Sequence, residues 1–434
     1  MINEGMEING ENKERKQLLN GDRTIWAMVI ILCCISLVEV FSASSRLTFG
    51  KSTFLAPIIS HTMHLCMGLG VMYVLHLLHY KWYKLFPVLL VPVSIILLAY
   101  LSIQSASSSG AERWINLGFF QLQPSELGKI AVIMSVAYWL SKLKPEDEMS
   151  QMITFWKILA LTGLVCLLIV GENLSTAILL AGVIFVMMIL GGIAWRRMLA
   201  LTGVVAAVGV VAVVILLFVP AQTIRDSKII PSRATTWQAR LQDFFQPGSE
   251  GHPSALEYAA IVAPEKPQET HANIAIASSN VLGKGPGNSV ERDYLQEASC
   301  DFIYAIIIEE LGMTGGIVVM LVYMILLFRV GRISSRCKEK YPAFLAMGLG
   351  MLLGLQAFIN MSVAVGLFPV TGQPLPLISK GGTSVLMTSF CIGMLLGISN
   401  TLDKESRGEQ VLGTETDVPS PIDGNESFDD ITES

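Results

Sequence analysis

The chain has 434 residues, 52% of them hydrophobic and only 15% charged. Soluble domains carry about 25% charged residues, so this composition excludes an ordinary soluble enzyme and makes lipid the solvent. The formal net charge of −5 belongs to the C-terminus: residues 408–434 hold eight acidic side chains and no Lys or Arg, which leaves the remainder mildly basic at +3. A mildly basic body suits cytoplasmic loops facing anionic lipid, and nothing in it calls for nucleic acid.

Residues 1–24 form a polar N-terminal segment of mixed charge. The first apolar run, Ile25 to Phe41, is followed by Ser42-Ala43-Ser44, which loosely imitates a signal-peptide cleavage site. The run is too long for a signal-peptide core, so it is expected to remain as a helix. Apolar stretches of roughly 20 residues, enough to cross a bilayer, can be read at 25–44, 54–78, 85–103, 124–141, 156–172, 174–192, 198–219, 302–328, 342–366 and 383–403. The sequence therefore predicts an all-α polytopic membrane protein with ten transmembrane helices. Its membrane domain covers 25–403, with one long external loop at 220–301 that is rich in proline. The acidic tail at 404–434 has little to bury and is expected to be disordered.

Orientation follows from Lys and Arg in the short loops. One set of segments holds Lys13, Arg15, Lys16, Arg23, Lys81, Lys84, Lys142, Lys144, Arg196, Arg197, Arg329, Arg332, Arg336, Lys338 and Lys340. The opposite short loops hold only Arg46, Lys51, Arg113 and Lys380. Both termini are thus expected in the cytoplasm and the long loop outside. Of seven cysteines, five lie in apolar stretches and Cys337 in a basic loop, leaving Cys300 as the one placed outside. No Cys-x-x-Cys or Cys/His spacing suggests a disulfide framework or a zinc site.

Three polar clusters could carry chemistry. The first is Gly110-Ala-Glu-Arg113-Trp114-Ile-Asn-Leu-Gly118, followed by Gln123-Pro124-Ser-Glu126-Leu-Gly-Lys129. Pro124 suits a first helical position and Glu126 the positive end of the helix dipole, with Lys129 snorkelling to the interface. The same spacing also puts Glu126 and Lys129 on one helix face, as an ion pair lining a polar cavity. Spacing alone leaves both readings open.

The second cluster runs from Asn288 to Asp301 and on to Glu309-Glu310. Asp301 stands where the loop enters an apolar helix, which suits a helix N-cap and equally a general base with a raised pKa. Glu309 and Glu310 lie about two turns inward. At least one of them must face protein or water, Glu309 being nearer the Asp301 face and Glu310 opposite. The third cluster, Asn360 to Ser384, carries three prolines around Ser379 and cannot continue a helix. Non-helical backbone at membrane depth survives only where protein or a watery cavity satisfies it. Glu39, inside the first helix, reads either as a partner for an external basic residue or as a side chain that simply sits near the helix's outer end.

Together these motifs resemble the SEDS family, the shape, elongation, division and sporulation proteins typified by FtsW and RodA. They read G-A-x-R-W-I-x-L-G…Q-P-S-E-L-x-K, E-A-x-x-D-F-I-x-A…E-E-L-G, and G-L-x-P-V-T-G-x-P-L-P-x-I-S-x-G-G-T-S. The likeness spans about Ser42 to Thr401. It implies a ten-helix fold that polymerises lipid II outside the inner (cytoplasmic) membrane, with a class B penicillin-binding protein and other division proteins as partners. Asp301 falls on the family's essential aspartate; Arg113, Glu126 and Lys129 fall on its cavity positions, beside Trp114 and Ser379 as further substrate contacts. Arg240 matches the basic residue of the long loop less closely. Gly285-Pro-Gly-Asn288-Ser and Gln296-Glu297-Ala298 resemble the division branch more than the elongation branch typified by RodA.

The sequence departs from the family pattern in several places. Glu172-Asn-Leu-Ser-Thr176 replaces Pro-Asp-x-Gly-Thr, Ser279-Asn280 replaces Gly-Gly, Ser299-Cys300 replaces His-Thr, and Lys380 replaces Tyr. The lost His leaves Asp301 as the only base candidate beside the loop. The resemblance implies no tightly bound cofactor and no protein metal site; a divalent cation such as Mg or Mn would be bridged by substrate oxygens. Rival readings are a lipid II flippase, a RodA-type elongation polymerase, and a non-catalytic scaffold of the division machinery.

Overall fold

The computed structural model describes residues 20–44, 56–107, 114–116, 121–218, 237–238, 267–295 and 300–408. Among these, ten long helices correspond to the ten expected spans: α1 (Arg23–Ser44), α2 (Ala56–Leu77), α3 (Phe86–Ser107), α4 (Pro124–Ser141), α5 (Glu148–Val170), α6 (Leu174–Leu190) and α7 (Trp195–Phe218), then, after the short α8 (Pro267–Ala277), α9 (Ile303–Arg336), α10 (Lys340–Ala364) and α11 (Gly382–Ser406). Eight of the ten are long and apolar enough to cross a membrane. The exceptions are α6, which is 17 residues long, and α4, which carries the Glu126–Lys129 pair. The protein is a multi-pass membrane protein.

The two extremes of burial show how the bundle is arranged. Helix α4 has fourteen of its 18 residues buried, packed among α3, α5, α6, α10 and α11, so protein surrounds it on all sides. A buried helix is where a lysine and a glutamate can be kept from lipid. Helix α7 is the opposite: Val204, Val205, Val208, Val210 and Val211 are each about 60% exposed, an apolar surface that only lipid solvates without penalty.

One end of the bundle gathers the basic segments. Arg329 pairs with Asp22 at 2.5 Å, Lys84 with Glu339 at 3.5 Å, and Arg336 with Asp403 at 3.6 Å. Lys142 lies over the Tyr138 ring and Lys84 over that of Tyr341. The start of α1, the α2–α3 turn, the α4–α5 turn, the α9–α10 connection and the end of α11 therefore share one end. The other end carries the two-residue hairpin β1 (Ile115–Asn116) and β2 (Gln121–Leu122), antiparallel with Ile115 opposite Leu122.

Helix α9 is not continuous. Gly312 adopts φ 74° and ψ −177°, breaking the element into 303–311 and 313–336. Part of the long loop fills the break. Lys284 N donates to Glu309 O at 3.0 Å and Gly285 N to Glu310 O at 2.8 Å, satisfying carbonyls that the break leaves without helical partners. The loop expected at 220–301 is thus structured where it is described. It contains α8 and a 3₁₀ turn at Glu291–Asp293. The acidic tail beyond 408 lies outside the described residues.

Candidate functional site

Helix α4 begins as its sequence suggests. Gln123 is extended at the N-cap, Pro124 occupies the first turn, and Glu126 sits at the positive end of the dipole. Lys129 does not snorkel to an interface: it has no exposed surface. Its Nζ donates to Glu126 Oε1 at 2.7 Å and to Gln356 Oε1 at 3.3 Å. Of the two readings left open by spacing, the buried ion pair is the one the structure bears out. Such a pair costs desolvation that its attraction only partly repays, so it is weak evidence for a stability role.

The segment after α10 is the non-helical stretch expected at membrane depth, and protein satisfies its backbone. Gln356 Nε2 donates to Pro374 O at 3.1 Å, Asn360 Nδ2 to Gln373 O at 2.8 Å, and Tyr323 OH to Pro376 O. Ser36, itself hydrogen-bonded to His61, donates to Ile378 O at 2.9 Å. Leu377 sits at φ 64°, the only non-glycine residue with positive φ among those described. That backbone costs on the order of 1–3 kcal/mol and holds only because its surroundings over-determine it.

Asp301 is half-buried immediately before α9. The helix starts at Ile303 with Phe302 at the N-cap position and no side-chain cap, so the capping role expected for Asp301 is not its role. Its peptide is clamped instead. Asn360 Nδ2 donates to Asp301 O at 3.0 Å, and Ser379 Oγ donates to Cys300 O at 2.6 Å. Cys300 Sγ meets Lys380 O at 3.1 Å. Ser379 holds the Asp301 segment: it is buried, its hydroxyl donates to Cys300 O, and it accepts from Leu375 N at 2.7 Å.

Glu309 and Glu310 do not face opposite ways, because the helix ends two residues later at Gly312 and one loop collects both. Glu309 Oε1 accepts from Lys284 Nζ at 2.6 Å and Val290 N at 3.1 Å, and Ser289 Oγ donates to its other oxygen. Glu310 accepts from Gly287 N at 3.0 Å, from Ser289 N at 3.3 Å and from Ser42 Oγ. Arg292 lies 3.9 Å from Glu310 and donates to Ser42 Oγ at 2.9 Å. Glu39 is fully buried and, among the described residues, its carboxylate oxygens have no hydrogen-bonding partner; Arg46, Lys51 and Arg113 lie outside the described residues.

Trp114 is 38% exposed, beside the hairpin that precedes α4. Arg113 and Arg240 lie outside the described residues. At the altered Glu172-Asn173 turn, Asn173 caps α6 by accepting from Ser175 N and Thr176 N, and Thr176 Oγ1 accepts from Gln373 Nε2 at 2.6 Å. The turn therefore meets the 373–374 segment through Thr176, with Asn173 serving as the helix cap. Sequence reasoning missed Gln356, Gln373, Ser289 and Arg292. A lone Gln in an apolar helix is the only available signal for Gln356. Among the described residues no three His, Cys, Asp or Glu side chains converge as a metal cage.

The sequence model of the cell cycle proteins FtsW, RodA and SpoVE matches residues 22–404. The chain belongs to this family. A relative from Geobacter sulfurreducens, named probable peptidoglycan glycosyltransferase FtsW, is 30% identical over 393 residues, covering 89% of this chain and 97% of its own. One of the same name from Nitrosomonas europaea is 30% identical over 388 residues, covering 87% of this chain and 92% of its own. Two solved structures share the fold. A chain of a peptidoglycan synthase complex that coordinates polymerization and crosslinking superposes with TM-score 0.67 at 22% identity, covering 88% of this chain and 98% of that one. The rod shape determining protein RodA of Thermus thermophilus superposes with TM-score 0.57 at 20% identity, covering 89% and 98%.

Proposed function

We propose that this member of the FtsW/RodA/SpoVE family polymerises lipid II into glycan strands for septal wall synthesis. The proposed place is the outer face of the cytoplasmic membrane. The curated relatives named above are FtsW proteins aligned along nearly their full length, which favours the division branch over elongation. By the distribution of positive charge, the basic end of the bundle faces the cytoplasm with both termini, and the Asp301 end faces out.

The observation that carries the chemistry is one buried polar network joining Lys129 to the peptide of Asp301 through Gln356 and Asn360. Lipid II presents its sugar on an α-linked pyrophosphate, and the glycan product is β-1,4-linked. A single in-line displacement inverts the anomeric carbon. Asp301 takes the proton of the attacking 4-hydroxyl. Lys129, held by Glu126 and Gln356, is the proposed cation for the departing pyrophosphate alongside Arg113 and Arg240. Glu126, Glu309 and Glu310 are occupied by protein donors, so a divalent cation would rest chiefly on substrate oxygens.

A lipid II flippase would need a polar path toward the basic end. Beyond Lys129, α4 presents Ile130, Ala131, Val132, Ile133 and Met134, all buried and apolar, which favours polymerisation over transport. The related synthase complex couples polymerization to crosslinking, which supports a class B penicillin-binding protein as partner for this chain. The direct test uses purified protein and labelled lipid II, with glycan strands as readout. Asp301→Asn should lower polymerisation by about 10²–10⁴-fold while insertion and partner binding persist. Near wild-type strand synthesis by that variant would remove Asp301 as base and bring the flippase and scaffold readings forward.

A further inference from the structure

Two amides on one face of α10 join the residues assigned to the reaction, and the function proposed above gives neither of them a role of its own. Gln356 and Asn360 are four residues apart, one helical turn, and both are buried. Their NH₂ groups donate to consecutive carbonyls, Gln356 to Pro374 O at 3.1 Å and Asn360 to Gln373 O at 2.8 Å. Each then reaches outward in a different direction. Gln356 Oε1 accepts from Lys129 Nζ at 3.3 Å, and the second proton of Asn360 Nδ2 goes to Asp301 O at 3.0 Å.

We propose that Asn360 is a positioning residue for the general base: it fixes the Asp301 peptide relative to Lys129 through the Asn360–Gln356 face of α10. Helical rise sets the spacing between the two amides, and the shared 373–374 carbonyls keep both from rotating. The strained backbone at Leu377 and the Ser379–Cys300 contact brace the same loop from its other end. Asp301 precedes the first residue of α9, so its backbone is placed by contacts from α10 and the loop rather than by the helix it leads into. A base displaced by about 1 Å can lose about 10²-fold in rate, which is why a buried amide is worth spending on a backbone carbonyl.

This inference rests on the reading of Asp301 as the base, and the test separates the two. Asn360→Leu removes the donor while keeping the branching and the number of side-chain heavy atoms; Asn360→Ser is the smaller alternative should the bulkier methyl groups keep the first from inserting. Each is measured for lipid II polymerisation as kcat and KM against pH, alone and combined with Asp301→Asn. A positioning role predicts a fall in kcat of about 10–10²-fold with KM changed less than about two-fold, and a displaced acidic limb of the pH profile. It also predicts that Asn360→Leu costs almost nothing further once Asp301 is Asn, because residues acting as a unit are not additive. Multiplying losses in the double variant, or an unmoved acidic limb, would overturn the positioning role and leave Asn360 as packing. Full activity of Asp301→Asn alone would instead overturn the base assignment.

Discussion

Gly283 and Gly312 meet backbone to backbone: a Cβ on Gly283 would stand 2.3 Å from the Gly312 nitrogen, and one on Gly312 would stand 2.3 Å from the Val281 carbonyl oxygen. Both residues have positive φ, 76° and 74°. The contact lets the loop between α8 and α9 plug the break in α9 and brings Lys284, Ser289 and Arg292 onto Glu309 and Glu310. Gly312→Ala should therefore destabilise the protein by about 1–3 kcal/mol from backbone conformation alone, with the clash added. Gly331→Ala, in the same helix with open space around it, should be neutral or mildly stabilising. Thermal unfolding of both in detergent decides; equal midpoints would show that the loop gives way easily and the plug is not rigid.

The buried Glu126–Lys129 pair separates stability from activity. Lys129→Met leaves a buried carboxylate with no ammonium and should cost about 3–5 kcal/mol. Glu126→Gln combined with Lys129→Met removes both charges and should regain most of that stability. Polymerisation should stay low in the double variant, because the cation for the pyrophosphate is gone. Wild-type polymerisation by the double variant would mean the pair is structural only.

The spans are legible in the sequence because a bilayer demands about twenty apolar residues wherever it is crossed, and α4 is legible despite its charges because the apolar run continues to Leu140. Local signals fail where a distant segment decides the outcome. On an unbroken helix Glu309 and Glu310 point about 100° apart; the break at Gly312 and the 284–290 loop draw both into one cradle. Asp301 reads as a cap because Asp caps well, but its peptide answers to Asn360, 59 residues away. Gln356 reaches Lys129 across 227 residues, a pairing that spacing along the chain cannot encode.

Orientation can be tested by thiol labelling, although the native Cys337 is a poor reporter. Burial pushes its thiol up to about 12, with the Glu405 carboxylate adding to the rise and Arg336 opposing it. Thiolate is the reactive form, so Cys337 should react slowly at neutral pH whichever side it faces. Exposed positions avoid this: Val290→Cys at the Asp301 end and Lys338→Cys at the basic end, both with Cys300→Ser. An impermeant maleimide on intact spheroplasts should label the first and spare the second, and inverted vesicles should reverse the pattern. Labelling of Lys338→Cys in spheroplasts would turn the proposed orientation over and put Asp301 on the wrong side for lipid II.

At the basic end, His79 should make stability depend on pH. It is 8% exposed, and its Nδ1 accepts from the Lys81 backbone nitrogen at 3.1 Å, which requires that nitrogen to be unprotonated. Its pKa is lowered, first by burial and then by the Lys81 ammonium, with Lys84 and Lys404 adding to the effect and Glu339 opposing it. An unfolded histidine titrates near 6.5. Below that value the unfolded chain takes up a proton that the folded chain refuses. The contribution of His79 is therefore complete above about pH 6.5 and is lost as pH falls toward the folded pKa. His79→Gln keeps an acceptor for the Lys81 N–H but cannot be protonated, so its melting temperature should vary less than that of the native protein between about pH 5 and 7. The comparison cancels carboxylates that titrate in both proteins. Parallel melting curves over that range would show that His79 takes up its proton as readily in the folded protein, and that the Lys81 contact yields without cost.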